Sequence, residues 1–360
     1  MITVAIDARL AAGSHTGDST YWSGLLYGLS RIAPDARFLL FSNAERPAEI
    51  PASDAFHWVR VPARSNRWWS LVAFPLAARR MGARAIHTQY NLSPLAGQRG
   101  ITTIHDVSFF IGPQWFKPKD LFLLRRFVPA SARRAARVIT VSETSLSEIE
   151  KFIPAARGKV TVTPLALSPL LETIPRPEAK KIVESETNLR GPFLLTVGTQ
   201  WPRKNMALAI NAASLVPHPL AVTGKRSADF SPPSDPGLQS AAIHSTGYVS
   251  NRVLSALYAA ADLYLAPSFH EGFGLTLLEA FASDCPVICS SGGAMPEVAG
   301  NAAFVEQSWE PDVWARSIKA LLSDSGKLDQ MRRLGKERVA QFDWRETARR
   351  TFDVYQEVSR

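Results

Sequence analysis

Two glutamates eight positions apart stand in the stretch of this sequence with the clearest chemical potential. Glu271 lies in the segment FHEGFG, where Gly272 and Gly274 let backbone amides approach a ligand closely. Glu279 follows one turn into an apolar helix that is predicted to begin near Leu275 and to point its N-terminus at the same loop. A carboxylate accepts two hydrogen bonds, which suits paired sugar hydroxyls. The spacing therefore predicts an anion site with carboxylates beside it.

Basic residues follow a second predicted strand, in the segment VGTQWPRKN at positions 197–205. Arg203 and Lys204 open a helix there and could neutralise a diphosphate. We expect Lys204 to carry most of this charge, whereas for Arg203 phosphate binding and a solvated position remain equally open. Lys225, after the strand LAVTG, is a weaker phosphate candidate with the same two alternatives.

In the first half of the chain, the strand in TTIHDVSFF delivers His105 and Asp106 to its carboxyl end. A core histidine that bonds only to backbone is the alternative to a ligand contact through the ring or the backbone carbonyl. Further along, in RVITVSETS, we expect Ser142 and Glu143 to cap the following helix rather than to take part in catalysis.

These residues must be positioned by the predicted strands and helices. Short β-branched and aromatic runs alternate with helical patterns along the chain. The runs are TVAID, FLLFS, HWVRV, AIHTQ, GITTIHD, RVITVS, KVTVTP, FLLTVG, LAVTG, IHSTG, LYLAPS and PVICS. Such alternation is typical of parallel sheets covered by helices. We predict two Rossmann-like, doubly wound domains, at 1–170 and 190–343, with a C-terminal helix at 344–360 that packs back on the first. Ligands bind outside the carboxyl ends of such strands, which indicates a central cleft faced by both domains.

The composition, with 46% hydrophobic and 20% charged residues in 360, is that of an ordinary globular protein. No long apolar run or signal peptide is evident, so we expect a cytoplasmic protein. Cys285 and Cys289 lie in an apolar segment and are predicted to be buried packing residues. The net charge of +9 arises in the first half. It could serve an anionic bilayer, a phosphorylated substrate or a simply solvated surface, but no nucleic-acid-binding module accompanies it.

Taken together, these segments resemble the retaining glycosyltransferases of family 4, which have the GT-B fold, and the resemblance spans nearly the whole chain. It implies that Glu279 binds the donor's ribose and that Glu271 and His105 contact the transferred sugar. It assigns catalytic roles to Glu271, His105 and Lys204, and donor contacts to Arg203, Lys225, Val249, Gly272, Phe273, Gly274, Leu275 and Glu279. Relatives commonly have T-G-I-G-R-Y near the first helix, whereas this chain has Gly17 and Asp18 in an altered acceptor-side loop.

The resemblance implies transfer of a hexose-type sugar, with retention, from a nucleotide-diphosphate sugar to a glycan or lipid-linked acceptor, as in bacterial cell-surface polysaccharide assembly. The sequence contains no D-x-D motif, so we expect no metal and no cofactor. An inactive glycosyltransferase-like binding protein and a sugar-nucleotide 2-epimerase are the alternatives.

The segment at 66–85 combines Trp68, Trp69, Leu71, Phe74 and Leu76 with four arginines. It could attach the protein peripherally to an anionic membrane at its inner face. Packing on the first domain is the favoured alternative, because Pro75 is expected to interrupt the helix.

Overall fold

All twelve predicted strands are present in the computed structural model, which describes residues 1–12, 17–32, 35–48, 50–225 and 243–360. The strands are β1 Ile2–Asp7, β2 Ala36–Ser42, β3 Phe56–Arg60, β4 Ala85–Gln89, β5 Gly100–Thr103, β6 Arg137–Thr140, β7 Val160–Val162, β8 Leu194–Val197, β9 Leu220–Thr223, β10 Ile243–Gly247, β11 Leu263–Ala266, β12 Val287–Ser290 and β13 Phe304–Glu306. The last of these was not predicted, because three residues are too few to show a periodic pattern.

The α-helices are α1 Gly17–Ile32, α2 Asn66–Trp68, α3 Phe74–Arg80, α4 Ser108–Ile111, α5 Pro118–Arg134, α6 Glu143–Phe152, α7 Arg176–Thr187, α8 Met206–Ala213, α9 Asn251–Ala260, α10 Leu275–Ala282, α11 Met295–Ala299, α12 Pro311–Ser323, α13 Ser325–Val339 and α14 Trp344–Ser359. Short 3-10 helices occupy Leu10–Ala12, Pro94–Arg99, Pro113–Trp115, Pro154–Ala156 and Pro202–Lys204. Ser142 caps α6, as predicted, by accepting a hydrogen bond from the Ser145 N–H at 3.0 Å.

The chain divides into two units. Unit 1 comprises Met1–Ala166 and Phe342–Arg360, and unit 2 comprises Leu167–Gln341. Residues 171–189, which lie between the two predicted domain ranges, therefore belong to unit 2, where they include α7. The unit boundaries also differ from the predicted ranges at two places, because residues 167–170 belong to unit 2 and residues 342–343 to unit 1.

Each unit contains one parallel sheet whose strand order reverses at one point. In unit 1 the order is β3-β2-β1-β4-β5-β6-β7, and the reversal falls between β1 and β4. In unit 2 the order is β10-β9-β8-β11-β12-β13, and the reversal falls between β8 and β11. At such a point the loops after the two strands diverge to opposite faces of the sheet and leave a crevice for a ligand. The topology therefore marks one candidate binding position in each unit.

The C-terminal helix α14 belongs to unit 1 because it packs closely on α1. Gly24 and Gly28 lie one turn apart on α1, directly against Trp344 of α14. A Cβ atom at Gly24 would lie 2.1 Å from the Trp344 ring, and one at Gly28 would lie 2.1 Å from the Trp344 carbonyl oxygen. Only glycine permits this distance between the two helices.

We therefore expect Gly28→Ala to destabilise the protein. The added methyl group meets a backbone atom, so α14 must shift, and overpacking of this kind costs about 1–3 kcal/mol. This cost opposes a gain in helix propensity of about 1 kcal/mol. Urea unfolding followed by circular dichroism should show a lower midpoint. Gly17→Ala, on the same helix but with open space around it, is the matched control and should leave the midpoint unchanged or slightly higher.

Pro75 does not interrupt its helix, contrary to the sequence expectation. A π-helical turn at Trp69–Ala73 joins α2 to α3, so helical backbone runs from Asn66 to Arg80. A proline in a helix leaves the carbonyl four residues earlier without its usual N–H partner. Here that carbonyl, of Leu71, accepts a hydrogen bond from the Ser93 hydroxyl at 2.6 Å. The π turn and this side chain together accommodate the proline.

Both cysteines are buried and free, as the sequence predicted. Burial raises the pKa of the Cys285 and Cys289 thiols to about 12. Both thiols are thus protonated packing residues of unit 2, without nucleophilic character at neutral pH.

Candidate active site

The reversal point of the unit 2 sheet brings together the two most informative sequence segments. The loop after β8 carries Arg203 and Lys204, and the loop after β11 carries Glu271. A backbone hydrogen bond joins the two loops, from the Phe269 N–H to the Arg203 carbonyl at 2.8 Å. Segments separated by more than sixty residues thus form one site because they follow adjacent parallel strands.

Glu271 is the centre of an ion-pair cluster with both cations. The Lys204 Nζ lies 2.6 Å from its Oε1, and the Arg203 Nη1 lies 2.9 Å from its Oε2. The Glu271 side chain is only 10% exposed. Burial acts to raise the pKa of this carboxyl, but the charges of Arg203 and Lys204 outweigh that effect and lower it well below its usual value. Glu271 is therefore ionised at neutral pH and cannot serve as a general acid.

Arg203 thus has a definite place in the site, where the sequence left a solvated position equally open. Its guanidinium also donates to the His270 carbonyl, so it joins two points of the Glu271 loop. The cluster contains two cations and one anion. Its net charge of one positive unit suits a phosphate group.

Glycines give the Glu271 loop its close packing. Gly274, at φ +103°, precedes α10 as its N-cap residue, and no side chain caps the helix there. On the other side, Gly293 follows β12 at φ +59°, and a Cβ atom there would lie 2.4 Å from the Glu271 carbonyl oxygen. Gly292 and Gly293 were not predicted from the sequence, although a glycine pair after a predicted strand could have indicated them. The predicted donor residues Gly272, Phe273 and Leu275 lie in or directly after this loop.

Glu279 lies on α10, as predicted, and its Oε2 accepts a hydrogen bond of 2.9 Å from the hydroxyl of Tyr258. Burial raises the pKa of Glu279, while the bond from Tyr258 and the charge of Lys204 act in the opposite direction. Lys204 is thus electrostatically coupled to both glutamates. Tyr258 lies on the buried face of α9, and nothing in the sequence distinguishes it from an ordinary core aromatic residue.

The third predicted cation, Lys225, contacts an aromatic ring. Its side chain is exposed, and its Nζ lies 4.8 Å from the centroid of the Tyr248 ring. Tyr248 and Val249, the second of which is a predicted donor contact, directly follow β10. The carboxyl ends of β9 and β10 therefore present a cation held over an exposed aromatic ring.

His105 follows β5 in unit 1 and is almost fully buried. Its carbonyl accepts a hydrogen bond of 2.8 Å from the Ser145 hydroxyl, and its ring packs edge-on against Tyr21, with centroids 4.9 Å apart. The Nε2 atom lies 3.8 Å from the Asp18 Oδ1, and the described residues supply it with no hydrogen bond. Burial lowers the pKa of His105, although Asp18 and Asp106 act to raise it.

Asp18 joins His105 to the reversal point of the unit 1 sheet. Its Oδ1 accepts a hydrogen bond of 2.8 Å from Gln89, the last residue of β4. Gln89 in turn accepts from the Trp22 Nε1 at 2.8 Å. Gly17 is exposed at the first position of α1, and the part of the altered loop at 13–16 lies outside the described residues. Asp106 accepts from the backbone and hydroxyl of Ser108 and so stabilises a local turn.

A buried series of hydrogen bonds between hydroxyl and imidazole groups lies next to His105. Tyr355 of α14 bonds the Nδ1 atom of His87 at 2.7 Å, and His87 bonds Thr103 through Nε2 at 2.7 Å. Thr103 bonds the Tyr21 hydroxyl at 2.9 Å. Burial and the neighbouring His105 lower the pKa of His87 to about 3, so this ring is neutral at pH 7. These hydrogen bonds link the C-terminal helix α14 to Tyr21, whose ring packs against His105.

Within the described ranges, no three His, Cys, Asp or Glu side chains are grouped so that they could hold a metal ion. The same ranges contain no helix with the length and apolar character needed to cross a bilayer.

Solved structures with this architecture identify the fold. Sucrose-phosphate synthase from Thermosynechococcus elongatus superposes with a TM-score of 0.77 at 19% identity, over 99% of both chains. HepE from Anabaena, solved in complex with UDP-glucose, superposes with a TM-score of 0.73 at 16% identity, over 99% of this chain and 100% of that one. The two parallel sheets and these similarities show the two-domain GT-B fold.

Sequence comparison then gives the family. Residues 178–338 match the family described as glycosyl transferases group 1, and residues 16–166 match the glycosyl transferase 4-like domain. The O-antigen chain mannosyltransferase B of Escherichia coli is 31% identical over 270 residues, which are 72% of this chain and 70% of the relative. The chain belongs to the group 1 glycosyltransferases, and it is a glycosyltransferase, as the resemblance implied.

Proposed function

We propose that this glycosyltransferase transfers a hexose, with retention and without a metal ion, from a nucleotide-diphosphate sugar to a glycan or lipid-linked acceptor. The observation that carries the proposal is the ion-pair cluster at the reversal point of the unit 2 sheet. Lys204 and Arg203 are held there on Glu271, beside a helix N-terminus that no side chain caps. Two cations and a helix N-terminus suit a diphosphate leaving group.

The charges around Glu271 support a division of roles. Lys204 and Arg203 stabilise the negative charge that develops on the departing diphosphate, a task that a divalent metal performs in other enzymes. Glu271 holds the two cations in place and accepts hydrogen bonds from hydroxyls of the transferred sugar. Glu279 accepts hydrogen bonds from the ribose. In unit 1, His105 and Asp18 form a second set of residues that contacts the substrate.

Retention follows without a protein nucleophile. Glu271 is bonded to two cations, which makes its carboxylate a poor nucleophile. The acceptor oxygen instead forms a bond to the anomeric carbon on the face from which the diphosphate leaves. The bond from that carbon to the phosphate oxygen breaks, and the departing oxygen takes the acceptor's proton. No general base from the protein is required.

The relatives favour a particular sugar and biological setting. The name of the Escherichia coli relative, an O-antigen chain mannosyltransferase, makes mannose the first sugar to test and polysaccharide assembly the first setting. HepE was solved with UDP-glucose, so UDP-linked hexoses are the second set.

The decisive experiment combines binding with product analysis. Calorimetry with UDP, GDP, ADP and dTDP in the presence of EDTA should identify one nucleotide that binds without metal. GDP-mannose and UDP-glucose should then be incubated with glycan and lipid-diphosphate-linked acceptors, and NMR should show that the product keeps the donor's anomeric configuration. Loss of binding in EDTA would contradict metal independence, and an inverted product would contradict retention. No binding at all would support an inactive homologue, and donor turnover without acceptor would support an epimerase.

Peripheral attachment to an anionic membrane is a second part of the proposal, supported by the charge of one segment of unit 1. Residues 64–136 contain twelve Lys or Arg but only two acidic residues, so their excess of ten exceeds the net +9 of the whole chain. The helices of this segment share one core, which buries Trp69 and Phe74. These two residues therefore do not belong to a membrane surface, whereas Trp68, Leu71, Phe122 and Phe127 are exposed among the cations. Exposed aromatic residues among cations suit an anionic bilayer surface.

We expect the full-length protein to sediment with phosphatidylglycerol vesicles much more than with phosphatidylcholine vesicles, and to be released at high salt. Phe122, at 67% exposure on α5, is the most exposed of these aromatic side chains. Phe122→Ser should weaken sedimentation, whereas Leu215→Ser, at an exposed position in unit 2, should not. Equal sedimentation with both kinds of vesicle would overturn this part of the proposal.

A further inference from the structure

A single tyrosine hydroxyl determines the environment of Glu279. Tyr258 is completely buried on α9, and its hydroxyl donates to the Glu279 Oε2 at 2.9 Å. The described residues give the other oxygen, Oε1, no hydrogen bond. One side of the carboxylate is thus bonded to the protein, and the other remains available to a ligand.

The rest of the Tyr258 side chain has an ordinary packing role. Its ring packs edge-on against Tyr264, with centroids 5.4 Å apart, among fully buried residues of unit 2. A phenylalanine ring would fill the same space. A buried hydroxyl without a partner costs free energy, and the Tyr258 hydroxyl has Glu279 as its acceptor. The hydroxyl therefore serves the carboxylate rather than the core.

The protonation states of the pair favour the same assignment. Burial raises the pKa of Tyr258 well above its usual value, so its hydroxyl remains a donor at any physiological pH. Burial also raises the pKa of Glu279, and the bond from Tyr258 counteracts this change. Ribose hydroxyls that donate hydrogen bonds need an ionised, correctly rotated carboxylate as acceptor. Tyr258 promotes both conditions.

We propose that Tyr258 is a positioning residue for donor recognition: it orients Glu279 so that Oε1 accepts hydrogen bonds from the ribose hydroxyls of the nucleoside diphosphate. This inference rests on the proposed function, which assigns the ribose to Glu279. Tyr258 itself touches no substrate. Its effect should appear in nucleotide binding and KM rather than in the rate of the chemical step.

The test compares GDP and UDP with their 2′,3′-dideoxy forms by calorimetry. Wild-type protein should bind the ribonucleotide roughly 10- to 100-fold more tightly than the dideoxy form, because hydrogen bonds to a charged group are lost. Tyr258→Phe should weaken ribonucleotide binding by roughly 3- to 10-fold and leave dideoxynucleotide binding unchanged. Its KM for donor should rise while kcat changes less than twofold.

The control is Tyr355→Phe, which removes another buried tyrosine hydroxyl, one that is bonded to His87 in unit 1 and not to Glu279. It should keep the wild-type preference for ribonucleotides. If Tyr258→Phe also keeps that preference, or weakens both nucleotide forms equally, Tyr258 is a packing residue and the inference is wrong. Failure of the ribose assignment itself is distinguishable. In that case wild type and Glu279→Ala would show the same small preference.

Discussion

Lys204→Ala should reduce kcat/KM by roughly 100- to 1,000-fold, the range observed when one preorganised donor to a developing negative charge is removed. Lys204 makes the shorter of the two ion-pair contacts with Glu271, and its side chain is 17% exposed. Without it, Glu271 and Arg203 cancel each other, and the cluster loses its net positive charge. The departing diphosphate is then stabilised by one cation fewer in a site largely shielded from water.

Steady-state kinetics and calorimetry with the bound nucleoside diphosphate would measure this effect. Lys319→Ala is the matched control, because it removes the same charge from an exposed position on α12 of the same unit. It should leave both quantities within twofold of wild type. A Lys204 variant that retains more than a third of the wild-type kcat/KM would show that the leaving group is stabilised elsewhere.

Glu271→Gln should produce a different pattern, in which catalysis falls while product binding is kept or strengthened. Turnover should fall by roughly 100-fold or more, because glutamine holds neither cation firmly and accepts sugar hydroxyl bonds less strongly. Binding of the nucleoside diphosphate should be unchanged or tighter. Arg203 and Lys204 lose the anion that competes with the phosphates for them.

Kinetics and calorimetry on the same samples would separate these effects, with thermal unfolding to confirm that the variant is folded. Glu178→Gln is the control, because it changes an exposed ion pair with Arg252 in the same unit. Weaker nucleotide binding in Glu271→Gln would contradict the proposed competition. A Glu271→Ala variant that azide rescues with inversion would instead identify Glu271 as a covalent nucleophile.

Local patterns in the sequence determined the secondary structure and much of the site. Runs of β-branched, aromatic and other apolar residues predicted all twelve strands, because each run is long enough to pack its side chains on a sheet. The short β13 escaped because its three residues are partly exposed and carry no such pattern. The prediction that Pro75 interrupts its helix was wrong, because the Ser93 hydroxyl that bonds the freed Leu71 carbonyl comes from another part of the chain.

The glutamate spacing of Glu271 and Glu279 was readable because a loop followed by a helix fixes both positions locally. The partners of these glutamates could not be predicted from the sequence. Arg203 could have faced solvent on the evidence of its neighbours in sequence, and only the pairing of β8 with β11 places it on Glu271. In the same way, Asp18 meets His105 and Gln89 because three strand ends converge in unit 1.

What the sequence determined by itself is the order of strands and helices, the family, and the residue types available for donor binding. These depend on short-range periodicity and on motifs contained within a few turns of chain. What only the tertiary structure decided is which charges neutralise one another and which hydroxyl supports which carboxylate. Tyr258 and Glu279 illustrate the reason. They are twenty-one residues apart on different helices, and the preference of a buried hydroxyl for a buried carboxylate becomes effective only when packing brings the two together.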